Sequence, residues 1–306
     1  MRTSTLPFLL LLVGCGDISN SIFIEDEEFL AALPTKDGHT VDVGEDSDAA
    51  KGVRNPEPSL LTVSWSVCRG VNVVIYQLLG AVDTIRAYPP SSRTTNGRTW
   101  GPYTWDETLD VSASMSRQGD RYVWGLTGDK DGEDPVTFTE GTHYAGETVA
   151  TGDGAFHYDI TTVGEWFGED VVGSLDVDYD LRDGRDLLVA VNDAAENGAE
   201  PASYTYAYRF IDGEGDFQFR TQSNLDWDGS EKLADVTVRT RWIKGVGGRS
   251  DATVTGGGLG AATLLWSQCW ADDLTLTYEH DNAGYTDDVG AESACAYPER
   301  ADIDRI

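Results

Sequence analysis

Positive charge is what this chain lacks most. Its 306 residues hold 22 lysines and arginines against 53 aspartates and glutamates, a formal charge of −31. Such a field repels phosphate backbones, so nucleic acid is not an expected partner. Histidine is scarce as well. His39, His143, His157 and His280 lie far apart, without the ligand spacing of a zinc site. The four cysteines include no CxxC pair, which argues against redox or zinc chemistry. GxSxG, P-loop and HExxH motifs are missing. Gly256-Gly257-Gly258-Leu259-Gly260-Ala261 lies between two strand-like runs with no helix after it, so it is no dinucleotide loop. Among so many carboxylates, acid pairs at glycosidase separation arise by chance, and none stands out. The chain is therefore not expected to be an enzyme.

What is present begins at the N-terminus. Arg2 precedes an apolar run from Leu6 to Val13, and Cys15 follows. The run is too short for a bilayer, which needs about 20 apolar residues, and it suits the apolar core of an export signal. Leu12-Val13-Gly14-Cys15 resembles the lipobox of bacterial lipoproteins. That resemblance implies a signal peptide over 1–14, cleavage before Cys15 and lipid on its thiol. Two or more acyl chains then anchor the protein stably where one is marginal. Gly16, not an aspartate, follows Cys15; by the same resemblance this points to the outer membrane, with its face left open. The chain also resembles envelope lipoproteins of proteobacteria, for which no activity follows.

Export permits disulfides. Cys269 and Cys295 flank the last strand-like hairpin and are the expected pair, contributing about 3–4 kcal/mol in the chain-entropy picture. Cys68 lies in an apolar segment and reads as a small buried residue.

Residues 15–57 read as an acidic, flexible tether. Asp26, Glu27, Glu28, Asp42, Glu45, Asp46 and Asp48 stand among Gly, Pro and Ser. A flexible chain of about 40 residues spans roughly 35 Å. Residues 58–306 read as one β-rich domain. It opens with an apolar helix over about 60–88, since Leu60, Val63, Val67, Val71, Val74, Leu78, Ala81 and Ile85 step by three or four. Pro89-Pro90 stops it. Over Leu61–Val67 an alternating, strand-like reading competes. After Trp105 the period changes to two and stays there, with hairpin signals such as Asp153-Gly154, Asp183-Gly184 and Gly247-Gly248 between runs. About a dozen antiparallel strands follow. So many in one sheet must curl, split or close. The expected fold is mainly β: a large curved antiparallel meander, an open barrel or a sandwich, packed on the one N-terminal apolar helix. The tail from Asn282 reads as loop pinned at Cys295.

Three sets of side chains are candidates for function. Tyr204, Tyr206, Tyr208, Phe210, Phe217 and Phe219 share one face of a hairpin and would line either an apolar ligand cavity or the core. Asp129, Asp131 and Asp134, and separately Asp226, Asp228 and Glu231, alternate around Asp-Gly turns like the start of a calcium loop. They lack the later glutamate of an EF-hand, and turn chemistry explains them equally. Trp100, Trp105, Trp166 or Trp227 would form a sugar platform if exposed on loops. The organisation is similar to lipoprotein carriers of the LolA type, which implies an apolar ligand under the sheet. The expected function is thus a membrane-anchored envelope lipoprotein that binds a lipid or other apolar ligand. The alternative is a structural or adhesive surface lipoprotein, calcium-assisted and without a pocket.

Overall fold

The computed structural model describes residues 20–43, 59–104, 108–130, 133–224 and 232–303. Three helices come first: α1 (Asn20–Ala31), α2 (Lys36–His39) and α3 (Ser59–Arg86). The strands are β1 (Ser92–Thr94), β2 (Gly97–Thr104), β3 (Leu109–Gln118), β4 (Arg121–Lys130), β5 (Val136–Thr148) and β6 (Thr151–Asp159), then helix α4 (Ile160–Phe167). They continue as β7 (Val171–Asp180), β8 (Arg185–Glu196), β9 (Ala202–Ile211), β10 (Glu214–Ser223) and β11 (Ala234–Ile243). Last come β12 (Gly247–Gly256), β13 (Thr263–Ala271), β14 (Leu276–Asp281) and β15 (Val289–Gly290). Each strand pairs antiparallel with its sequence neighbours, in the order β1 to β15, in one open sheet of 15 strands. The mainly β meander on one apolar N-terminal helix is therefore the fold.

α3 forms over the ambiguous segment as well. Leu60, Leu61, Ser64, Cys68, Val71, Ile75, Leu78, Leu79, Val82 and Ile85 are its buried residues. Their spacing of three and four is helical, and burial against the sheet outweighs the weak helix propensity of its β-branched residues. Its first turn is tied to the sheet by polar contacts: the Leu60 amide donates to Gln268 Oε1 at 2.8 Å. Ser64 Oγ lies 2.7 Å from Thr240 Oγ1, which lies 2.7 Å from Ser250 Oγ. By length and composition α3 is apolar enough to cross a membrane, but its buried stripe is committed to this core.

The expected tether needs correction. Residues 24–43 pack onto the domain. Phe29 is fully buried, its ring covered by the guanidinium groups of Arg98 and Arg117 at 4.5 and 5.3 Å. Asp26 pairs with Arg93 at 2.9 Å and Arg98 at 2.6 Å, and Glu28 with Arg117 at 2.7 Å. Burial alone would raise the Asp26 pKa; the hydrogen bonds from Arg93 and Arg98 prevail and hold it below its ordinary value. Val41 exchanges two hydrogen bonds with the Asn72 side chain, at 2.9 and 2.8 Å. The Trp65 indole N–H donates to the Val43 carbonyl. Asp26 and Glu28, which resembled solvated linker, are partners for arginines far along the chain. Cys15 and residues 44–58 lie outside the described residues.

The C-terminal tail is mostly loop and carries the short β15 and a 3-10 turn at Glu292–Ala294. The Cys269–Cys295 disulfide is formed. Side chains on the Thr240–Ser250 face of β11 and β12 meet α3, so alternation puts Arg239, Arg241, Arg249 and Asp251 on the outer face. The tail lies over them. Asp251 Oδ2 accepts from the Ala301 amide at 2.9 Å. Arg249 donates to the carbonyls of Tyr297 and Pro298.

Candidate functional site

One cross-strand row on the inner face builds a pocket at one end of the sheet. Register places Arg185 of β8 beside Phe210 of β9, then Gly215 of β10, Trp242 of β11, Gly248 of β12 and Trp270 of β13. Large aromatic rings thus alternate with glycines across neighbouring strands. The glycines are needed for close approach. A Cβ on Gly215 would fall 2.0 Å from the Trp242 ring, and one on Gly248 would fall 2.4 Å from the Trp270 ring. Each indole can therefore lie across its neighbour strand. Trp242 and Phe210 stack with centroids 6.4 Å apart and planes inclined by 27°.

The row forms one wall of a pocket of about 270 Å³ at the hairpin end of the sheet. Leu61 and Trp65 of α3 and Val43 of the N-terminal segment form the opposite wall, and the β11–β12 and β13–β14 turns close the rim. Trp242 and Trp270 are buried, while Trp65 and Phe210 are half-buried. Charges of both signs stand at the rim: Asp42, Arg185, Lys244 and Asp272. The Arg185 guanidinium sits 5.4 Å from the ring centroids of Tyr208 and Phe210 and donates to the Thr40 carbonyl at 3.2 Å. That is a cation–π position, already filled. Among the described residues that line the pocket there is no nucleophile–base pair.

The predicted aromatic ladder lies mostly in the core. Tyr206, Tyr208 and Phe217 are fully buried, and Phe219 nearly so. Tyr206 meets Phe217 at 5.9 Å, and Phe217 meets Phe219 at 5.8 Å. Tyr204 packs half-buried at the edge of the same cluster. Phe210 alone of the six also lines the pocket. Burial pushes the Tyr208 hydroxyl up to about 12, so its O–H stays a donor, and it reaches the Asp42 carbonyl at 3.3 Å.

Of the candidate calcium ligands, Asp129 ends β4 and Asp134 lies beyond it, both exposed. Asp131, Asp226, Asp228 and Glu231 fall outside the described residues, as do Trp105 and Trp227. Among the described residues no group of three or more His, Cys, Asp or Glu is arranged to hold a metal. Trp100 is buried in β2. Trp166 packs edge-on against Phe138 at 5.8 Å, with Lys130 over its ring.

Sequence reasoning missed the pocket row. Trp242 reads as an alternating strand residue, Gly215 and Gly248 read as turn glycines, and Trp270 carries no signal of its own. A signal was available: Trp242 and Gly248 stand symmetrically about the Lys244–Val246 turn, so a tight hairpin must place them opposite one another.

Two histidine sites were also unpredicted. His39 and His143 flank Tyr179 on the inner face, with His39 at 4.5 Å and His143 at 5.9 Å between centroids. His143 Nε2 lies 2.6 Å from the Val149 carbonyl, so it donates there, and Nδ1 accepts from the Tyr179 hydroxyl at 3.0 Å. His39 Nδ1 lies 2.9 Å from the Thr35 carbonyl and donates to it, while the buried Nε2 has no partner among the described residues. Burial lowers the His39 pKa to about 4, against the raising effect of the Thr35 carbonyl; His143 and Arg86 lower it further. On the outer face, His157 Nδ1 contacts Asp176 at 2.7 Å in an exposed pair.

No protein-family model matches the chain, and neither a curated protein nor a solved structure is similar enough to it to match.

Proposed function

We propose that this protein is a lipid-anchored envelope lipoprotein whose β domain is a non-catalytic binding module. Cys15 carries the anchor, in the outer membrane, and the ligand seats in the pocket at the hairpin end of the sheet. The observation that supports this is the row of Phe210, Trp242 and Trp270 facing Leu61 and Trp65 around about 270 Å³ of open space. Three indoles converging on one space offer far more apolar contact than a solvated rim requires, and a few polar groups around an apolar pocket are the usual composition of a ligand site. The volume lies under the about 300–1,000 Å³ of drug-sized sites, so the ligand is small or only its headgroup enters. The space beneath the ladder is taken by α3, which moves the apolar-ligand reading from the centre of the sheet to its end.

The filled centre also supports a second reading, a structural or adhesive surface lipoprotein. One titration separates the two. In the Cys15→Ser form, octyl glucoside below its micelle concentration is expected to change tryptophan fluorescence saturably. Asp272→Phe, which blocks the exposed mouth of the pocket, is expected to abolish that change while leaving Tm in place. A linear, unsaturable response in both forms favours the structural reading. The anchor is tested by fractionation. The native chain is expected with membranes and the Cys15→Ser form in the soluble fraction; equal pelleting of both defeats the lipobox assignment.

A further inference from the structure

We infer that the ligand of this pocket is a neutral sugar ring, a single pyranose unit, free or at the end of a longer glycan. The inference rests on the reading that the pocket is a ligand site, and it names the class.

Four observations carry it. Four aromatic residues, Trp65, Phe210, Trp242 and Trp270, line the one space. A pyranose presents a C–H face to such rings and a rim of hydroxyls around them. The pocket rim has donors and acceptors of both kinds, in Arg185 and Lys244 and in Asp42 and Asp272. A sugar hydroxyl both donates and accepts, so it suits a mixed rim; a carboxylate or an ammonium suits only half of it. The volume of about 270 Å³ holds a ring and not the chains of a membrane lipid. Charge then disfavours two competitors. A cationic headgroup would meet Arg185, which already holds the Phe210 ring at 5.4 Å, and Lys244 at the rim. An anionic amphiphile would approach a chain of formal charge −31 against its field. A neutral ligand meets neither barrier.

The roles follow from position. Trp242 and Trp270, packed over Gly215 and Gly248, line the inner wall. Trp65, held by its N–H on the Val43 carbonyl, closes from the α3 side. Asp272, exposed on the β13–β14 turn, is the acceptor for a hydroxyl at the mouth.

The test uses the Cys15→Ser protein, calorimetry and tryptophan fluorescence. The probes are methyl glycosides of glucose, galactose, mannose and N-acetylglucosamine, with octanoate and octanol as tail-only probes. At least one glycoside is expected to bind saturably, with octanoate and octanol silent. Asp272→Asn is expected to weaken that binding by about tenfold, the usual loss for one hydrogen-bonding partner, and Trp65→Leu by more. Asp272→Asn, at an exposed position, is expected to keep the parent circular dichroism and Tm, while Trp65→Leu, which gives up the bond to the Val43 carbonyl, is expected to keep the circular dichroism with a lowered Tm. Depletion by an insoluble polysaccharide ending in the same sugar, compared with the free glycoside, separates the two sources, and binding to either supports the inference. Binding of octanoate or octanol without any glycoside overturns the sugar and leaves the binding module standing. No binding by any probe, octyl glucoside included, removes both. Glycoside binding that Asp272→Asn and Trp65→Leu leave unchanged places the sugar elsewhere and overturns the inference.

Discussion

The outer face of this sheet differs between its middle and its C-terminal end. Over β6 to β8 it is bare: Asp176, Asp178 and Asp180 alternate outward, Asp178 is exposed, and Leu188 is left 44% exposed. Over β10 to β13 it is roofed by the C-terminal tail, and residues 247–252 of β12 are buried one after another. The charges differ accordingly. In the middle, His157 and Asp176 pair in water. At the end, Arg249 and Asp251 are 1% and 0% exposed and 2.8 Å apart. The same polar alternation is a solvated surface in one place and a buried network in the other, and what decides is whether chain lies over it.

The largest expected effect comes from breaking the roofed network. Asp251→Ala takes from Arg249 its buried carboxylate partner and from the Ala301 amide its acceptor. Loss of one partner from a buried pair costs about 3–5 kcal/mol; chemical denaturation of the variant measures it, and a change below about 1 kcal/mol would show that the roof is leaky. Next is the clasp. Cys295→Ser frees the tail and is expected to lower stability by about 2–4 kcal/mol, with early proteolytic cleavage after Asn282 as an independent sign. Cleavage that begins in the β6–β8 region instead would invert the comparison.

The middle of the sheet is expected to fail through its inner face, by acid. His39 is buried neutral, with its pKa lowered to about 4. The unfolded chain takes up the proton near pH 6.5 and the folded one near 4. Its contribution is therefore complete above pH 6.5 and is lost as pH falls toward 4, about 3 kcal/mol in all. A His39→Phe variant is expected to show a flatter stability profile between pH 6.5 and 4; an unchanged slope would locate the acid sensitivity in other groups. The smallest effect belongs to the bare outer face. Both partners of the His157–Asp176 pair are about half exposed, so solvent screens them. His157→Ala is expected to move stability by about 0.5 kcal/mol or less, and a larger loss would mean that this face is covered too.

Much of the fold was legible from local pattern. Period-two alternation between Leu109 and Tyr278, cut by Asp-Gly and Gly-Gly turns, yields a meander because short turns can join only antiparallel neighbours. The α3 stripe and the Cys269–Cys295 pair were equally readable. The N-terminal segment was not. Asp26 and Glu28 look like linker until Arg93, Arg98 and Arg117, some 67 to 89 residues away, are seen to meet them. The candidate pocket was only half legible. Its aromatic residues were visible, but the ladder from Tyr204 to Phe219 drew the reading toward the centre of the sheet, where α3 sits.

By itself, the order of residues determined strand, turn and helix, and with them an antiparallel sheet with one apolar face. Periodicity and turn chemistry act within a few residues, so they need no knowledge of the rest. Tertiary structure alone decided which polar residues are buried, that Phe210, Gly215, Trp242, Gly248 and Trp270 share one row, and that open space remains beside it. Those outcomes depend on register across six strands and on where α3 ends, and register couples residues far apart along the chain.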